Sequence, residues 1–199
     1  FIVDDSLTTL QDLAQYHRIK CNIPVIGITG TNGKTTTKEL VSAVLSKKYN
    51  IIYTQGNFNN HLGVPLTLLQ IKPDTEIAVV EMGANHPKEI EFLCSLAQPD
   101  YGIITNIGKA HIEGFGSFEG VVKTKNELYD YLRNKHGKIF LNNDNQILKN
   151  LSVNIDYVSY GKDISSDYHA KVLSSNPYLS IIWDGHTINT KLVGEYNFE

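Results

Sequence analysis

Cysteine is scarce in this chain. Two occur in 199 residues, Cys21 and Cys94, and neither stands in a CxxC pair or at a metal-ligand spacing. A disulfide framework is thereby excluded, and the two read as reduced thiols of a cytosolic protein. Positive charge is not in excess either. Lys and Arg number 18 against 21 Asp and Glu, a formal net charge of −3, and no basic run offers the electrostatic footprint of a nucleic-acid binder. No apolar stretch approaches the roughly 20 residues that a bilayer span requires, and no signal-peptide pattern is present. These absences predict a cytoplasmic chain with no nucleic-acid partner and no membrane insertion. Internal repeats and low-complexity segments are also lacking. What is present is ordinary for a folded domain, 41% hydrophobic and 20% charged, enough for one sizeable core or two small ones. The chain opens on Phe1-Ile2-Val3 and stops at "LVGEYNFE", so it reads as a piece of a longer protein.

Periodicity predicts a helix over 6–20, with Ser6 as its cap and Leu7, Leu10, Leu13, Ala14 and His17 on one face. A short buried strand follows at 25–29, then a glycine loop and a helix over about 35–48. Strands are expected at 51–53, 76–82, 101–107 and 138–142. Helices are expected at 66–69, after Pro87 as a helix start, and over 117–133 with Ser117 as cap. Strand alternating with helix argues for an α/β domain, a mostly parallel P-loop-type sheet with helices on both faces. After about residue 155 strands follow one another without helices, and Asp184-Gly185 suits a hairpin turn. That stretch reads as a small antiparallel β appendage near the C-terminus.

The stretch "VIGITGTNGKTTTKEL" (25–40) carries chemistry. Backbone N–H groups freed by glycine point into one concavity at a helix N-terminus and suit a phosphate. Gly30, Thr31, Asn32, Gly33 and Thr36 form or flank the cradle; Lys34 can reach the β- and γ-phosphates, and Thr35 can bind Mg²⁺. The strict phosphate-loop pattern asks for glycine at position 28, where this chain has Ile28. Glu81 ends an apolar strand, and in a parallel sheet such ends gather beside the phosphate loop. It reads as an Mg²⁺ ligand or as a solvated strand-end carboxylate. His111 lies beyond the next strand end, a metal or substrate contact or a plain loop histidine, and Asn106 could orient either. Lys125 sits inside the apolar stripe made by Phe118, Val121, Val122, Leu128, Tyr129 and Leu132. Either it snorkels to solvent, or it points into the cleft with a depressed pKa, where a neutral amine can take up CO₂ as a metal-binding carbamate. "GNFNNH" (56–61) offers uncharged amides for recognition, or simply a polar connector.

The runs "GTNGKTTTKEL", "TQGNFNNHLGVPLTLL", "EMGANHPKEI", "TNIGKAHIEGFGSFEGV" and "KTKNELY" together resemble the Mur ligases of peptidoglycan synthesis. The first specifies only the superfamily, which includes folylpolyglutamate synthase and also lacks the first phosphate-loop glycine. The others are most similar to the branch that joins D-alanyl-D-alanine to UDP-N-acetylmuramoyl-tripeptide. The resemblance implies that residues 1–22 are the end of an N-terminal domain with its linker helix. It implies that residues 23–199 are a central ATP-binding domain cut near its end, with the C-terminal ligase domain absent. It implies ATP and Mg²⁺ as cofactors, Lys34 on the phosphates, Thr35 and Glu81 on a first Mg²⁺, His111 on a second, and a carbamylated Lys125. Asn197 would lie near the adenine, where the family often has His at the place of Tyr196. Thr54, Gln55, Asn59, Asn60 and His61 would meet the muramoyl-tripeptide. The whole enzyme would act as a monomer, and the isolated piece would be inactive. The alternatives are another Mur-like amide ligase, adding diaminopimelate or lysine or resembling cyanophycin synthetase, and a nucleotide-binding module without catalysis.

Overall fold

The computed structural model describes residues 2–109 and 112–198. Helix α1 spans Ser6–Cys21. Its cap is Asp5 rather than Ser6: the Asp5 carboxylate accepts from the Thr8 N–H at 2.6 Å. Its inward residues are Ala14 and Arg18, while Leu7 and Leu13, expected inside, are exposed. The reason is what α1 packs on. Ala14 permits close approach, and the Arg18 guanidinium donates to the carbonyls of Ala97 and Gln98, at the end of another helix where carbonyls lack intrahelical donors.

The remaining elements run β1 (Val25–Thr29), α2 (Lys34–Leu45), β2 (Ile51–Tyr53), α3 (Gly63–Leu68), β3 (Ile77–Glu81), α4 (Glu89–Ala97), β4 (Tyr101–Ile104), α5 (Ile112–Phe115), α6 (Phe118–Lys135), β5 (Lys138–Asn142), α7 (Gln146–Leu151), β6 (Asp156–Gly161), β7 (Tyr168–Ser174), β8 (Tyr178–Trp183) and β9 (His186–Val193), and a 3₁₀ turn covers Glu195–Phe198. The strands form one sheet in the order β2-β3-β1-β4-β5-β6-β7-β8-β9. Pairing is parallel through β7 and antiparallel from β7 to β9. Parallel order therefore persists past residue 155, where an antiparallel appendage is expected. The short α7, capped by the Asn145 side chain on the Ile147 and Leu148 N–H groups, closes a further strand–helix–strand unit. The β8–β9 hairpin turns at Asp184-Gly185 with φ of 48° and 75°, as a type I′ turn requires.

Two other boundaries shift for local reasons. Pro87 precedes α4 instead of starting it; Lys88 caps the helix at φ 72°, its N–H held by Glu127 Oε1. Strand β4 ends at Ile104, three residues early, because residues 105–108 turn aside to bond the glycine loop. No helix among the described residues is long and apolar enough to cross a membrane.

Strand alternation divides the core between the two faces. Val25, Ala78, Val80 and Ile104 join the larger cluster, with Leu93, Leu128 and Leu132 from α4 and α6. On that face α6 lies close to the sheet: a Cβ on Gly102 would stand 2.4 Å from Leu132 Cδ1. Ile26, Ile28, Val79 and Ile103 make a smaller cluster on the opposite face, under Val41 and Leu45 of α2. Glu81 follows Val80 in the alternation and so falls on the α2 side.

Candidate active site

Register brings Ile28 beside Glu81 and Thr29 beside Ile104. The glycine loop thus leaves β1 between two strand ends. Gly30 takes φ 143°, and a Cβ there would meet Thr105 Oγ1 at 2.0 Å. Thr31 donates its N–H to the Asn106 carbonyl at 2.9 Å, and Asn32 donates to Asn106 Oδ1 at 3.0 Å. Asn106 Nδ2 returns a bond to the Asn32 carbonyl. The sequence suggests a cradle of successive inward N–H groups, but two of them are turned to Asn106. The donors left are those of the first turn of α2, which have no carbonyl one turn back and carry the positive end of the helix dipole. Lys34 arches over the loop, its Nζ donating to the carbonyls of Gly30 and Thr31 at 2.9 and 3.0 Å. Burial lowers its pKa, with the charge of Glu81 opposing.

Glu81 is 1% exposed. Its Oε1 accepts from Thr35 Oγ1 at 3.2 Å and from Asn59 Nδ2 at 2.8 Å, while its Oε2 is buried without a hydrogen bond. A carboxylate oxygen with open lone pairs beside a threonine hydroxyl is a hard-oxygen donor set. It fits Mg²⁺, which keeps several waters and needs only one or two protein oxygens. Among the described residues no group of three His, Cys, Asp or Glu side chains stands together. His111 lies outside the described residues.

Lys125 is 3% exposed. Its side chain lines a cleft of about 410 Å³ with Lys34, Asn59, Glu89 and Phe115. Nζ lies 5.6 Å from the Phe115 ring centroid. Burial first, and the Lys34 charge second, bring its pKa down to about 8, against the opposing pull of Glu127 and Glu89. The buried face of α6 otherwise follows the expected stripe, with Phe118 and Val122 half-buried.

The loop 54–61 divides. Asn59, Asn60 and His61 line the same cleft, but two of their amides are committed: Asn59 to Glu81, and Asn60 Oδ1 to the N–H groups of Leu62 and Gly63 at the start of α3. Thr54 is not a surface contact. It is fully buried, and its hydroxyl accepts the Glu81 N–H at 3.0 Å. Gln55 is exposed, donates to the Tyr53 carbonyl and does not line the cleft.

On the other side of the loop is a pocket of about 840 Å³ between α2, the open sheet face and the 3₁₀ turn. Thr36, Leu40, Ile103, Phe140, Tyr160 and Asn197 are among its walls. Asn197 Nδ2 is bonded to the Val193 carbonyl. Sequence reasoning missed Lys38, which is fully buried behind Glu81. The signal was available, since Lys34, Lys38, Val41 and Leu45 lie on one stripe of α2, as Lys125 does on α6. It also missed Glu127, whose carboxylate takes the N–H groups of Lys88 and Glu91 and ties α4 to α6.

A parallel sheet with a Gly-Lys-Thr loop at its edge and a buried carboxylate beside it defines a phosphate-loop nucleotide-binding domain. The chain belongs to the Mur ligase family, whose middle domain matches residues 28–199. The UDP-N-acetylmuramoyl-tripeptide–D-alanyl-D-alanine ligase of Bacillus subtilis (strain 168) is 39% identical over 199 residues, 98% of this chain and 43% of that protein. The crystal structure of MurF from Acinetobacter baumannii superposes with a TM-score of 0.88 at 29% identity, covering 100% of this chain and 45% of that one. MurF ligase from Thermotoga maritima, solved in complex with ADP, gives 0.82 at 31% identity, covering 98% and 46%. The chain thus spans less than half the length of these relatives.

Proposed function

We propose that this chain is the ATP-binding part of a ligase that joins D-alanyl-D-alanine to UDP-N-acetylmuramoyl-tripeptide, making a peptidoglycan precursor. The observation that carries the reading is the buried Glu81 carboxylate paired with the exposed Thr35 hydroxyl beside the phosphate loop, taken with the identity to ligases of that name. The terminal carboxylate of the peptide attacks the γ-phosphorus of ATP, giving an acyl phosphate and ADP. The D-alanyl-D-alanine amine then attacks the acyl carbon, and the tetrahedral adduct loses phosphate and a proton to leave the amide.

This chain's residues supply position and charge. The first turn of α2 and Lys34 hold the β- and γ-phosphates, and Lys34 offsets the charge that spreads over the transferring group. Thr35 and Glu81 would hold Mg²⁺, which when bound neutralises phosphate charge. His111 is assigned to a second such ion. Lys125, whose amine is deprotonated in part near pH 8, is assigned as the carbamate ligand of that ion. The apolar pocket takes the adenine, with Thr36 and Asn197 on its wall. Asn59, Asn60 and His61 face the muramoyl-peptide. The full-length ligase should turn over with D-alanyl-D-alanine; turnover with a single amino acid and none with the dipeptide would sink this choice of acceptor. The carbamate assignment fails if Lys125→Ala leaves activity untouched with and without bicarbonate, and if labelled bicarbonate gives no carbamate signal by carbon NMR.

A further inference from the structure

The site holds a charge that the proposed reaction does not use. Lys38 is 0% exposed and stands on α2 behind Glu81. Its Nζ lies 3.1 Å from Glu39 Oε1, 3.8 Å from Glu81 Oε2 and 3.3 Å from the Gly56 carbonyl, to which it donates. Tyr53 lies under it at 5.9 Å from ring centroid to Nζ.

We propose that Lys38 is a positioning residue for Glu81: it balances the buried carboxylate in advance and, by repelling a lone divalent cation, makes the metal enter together with the nucleotide phosphates. This rests on the reading of Glu81 as a metal carboxylate. The nearer partner is Glu39, but that side chain is 53% exposed and Glu81 is 1% exposed. The difference in distance changes the attraction by about a fifth, whereas the effective dielectric changes severalfold between surface and interior. The buried pair therefore dominates.

The geometry also explains why the residue is lysine. At 3.8 Å the ammonium balances Oε2 without a hydrogen bond, so the lone pairs of that oxygen stay open. A guanidinium would take both oxygens in a fork. The bond to Gly56 fastens loop 54–61, whose Asn59 steadies Oε1. One cation thus sets both the carboxylate and the loop beside it.

The test is a set of substitutions in this chain, read by thermal unfolding and by binding of free Mn²⁺ without nucleotide, followed by electron paramagnetic resonance. Lys38→Met should lower the unfolding midpoint by about 10 °C. Adding Glu81→Gln should recover at least half of that loss, and adding Glu39→Gln should not. Lys38→Met should bind free Mn²⁺ at least tenfold more tightly than the parent, as expected when a like charge leaves. Lys38→Arg, which keeps the charge, should bind no more tightly than the parent. Recovery through Glu39 instead of Glu81, or Mn²⁺ affinity unchanged or weakened in Lys38→Met, overturns the proposal. If Lys38→Met does not fold, folding restored by Glu81→Gln supports the pairing and its absence overturns it, and Lys38→Gln then decides the metal arm by the same criterion. Glu81→Gln alone separates the two readings. Mn²⁺ binding unaffected by it removes the metal role of Glu81, whereas binding lost there but unchanged in Lys38→Met removes only the role of Lys38.

Discussion

The two sides of the phosphate loop are built from different materials. Facing α4 and α6, the cleft is lined by amides, the half-buried Lys34 and the buried Lys125, with the buried Glu81 behind. Facing the open side of the sheet, the pocket wall is Ile103, Phe140, Tyr160 and the aliphatic face of α2. Buried charges are costly to hold, and fixed charges act on the step in which charge develops. An apolar wall holds a flat ring by contact area and does little to a transition state. Under the proposed function, the loop joins a side that acts to a side that binds.

The division is sharpest if one substitution removes turnover and spares nucleotide affinity. In the full-length ligase, Lys34→Met should lower kcat about a thousandfold, while the Kd for ADP rises only a few-fold, measured by calorimetry. An affinity loss as large as the rate loss would merge the two sides into one.

Lys125 tests the polar side through pH. Its folded pKa is near 8 and its ordinary value 10.5, so the unfolded chain binds more protons between those two values, and stability rises with pH across that window. Below pH 8 the buried ammonium carries its full cost, at most about 3 kcal/mol. In carbonate-free buffer the stability advantage of Lys125→Met over the parent should shrink from pH 8 to 10.5, followed by urea unfolding. A constant difference across that range would mean that the amine is not desolvated. Phe140→Ala should show no such pH dependence.

The apolar side is expected to answer in affinity alone. Phe140 stacks on Tyr101 with ring centroids 6.0 Å apart, so its ring is held from behind. Phe140→Ala should weaken ADP about tenfold by lost contact area and leave kcat in the full-length ligase within about twofold. A large fall in kcat would show that this wall also positions the reacting phosphate.

How far this was legible depends on whether a residue's role is local. The glycine loop, Glu81 at a strand end and Lys125 in an apolar stripe follow from period and order, which act over a few residues. Helix α7 was missed because its six residues rest on one Asn145 cap, and with it went the parallel place of β6. Thr54 reads as a loop polar group, yet its hydroxyl is spent on the Glu81 N–H from a neighbouring strand. The exposed Leu7 and Leu13 failed for a related reason: amphipathic spacing identifies a helix face, but Arg18, bonded to the end of α4, determined which face turned inward. Lys38 is legible by the same pattern as Lys125, an ammonium on the inward stripe of its helix.

Asn106 lines the apolar pocket and also holds the loop between the two sides, and the smallest effect expected is the one that tests the boundary itself. Its backbone and side chain hold the N–H groups of Thr31 and Asn32, and its Nδ2 holds the Asn32 carbonyl. Asn106→Ala keeps the Thr31 bond, which is to backbone, and removes the two side-chain bonds. Both are exposed, so the loss should be no more than about 1 kcal/mol, or 2–4 °C in Tm for a chain of this size. Because the loop is shared, kcat and ADP affinity should each fall by about threefold, in parallel. If only the affinity falls, Asn106 serves the apolar pocket it lines; if only kcat falls, it serves the phosphates. A parallel loss is what a common support between two unlike walls would give.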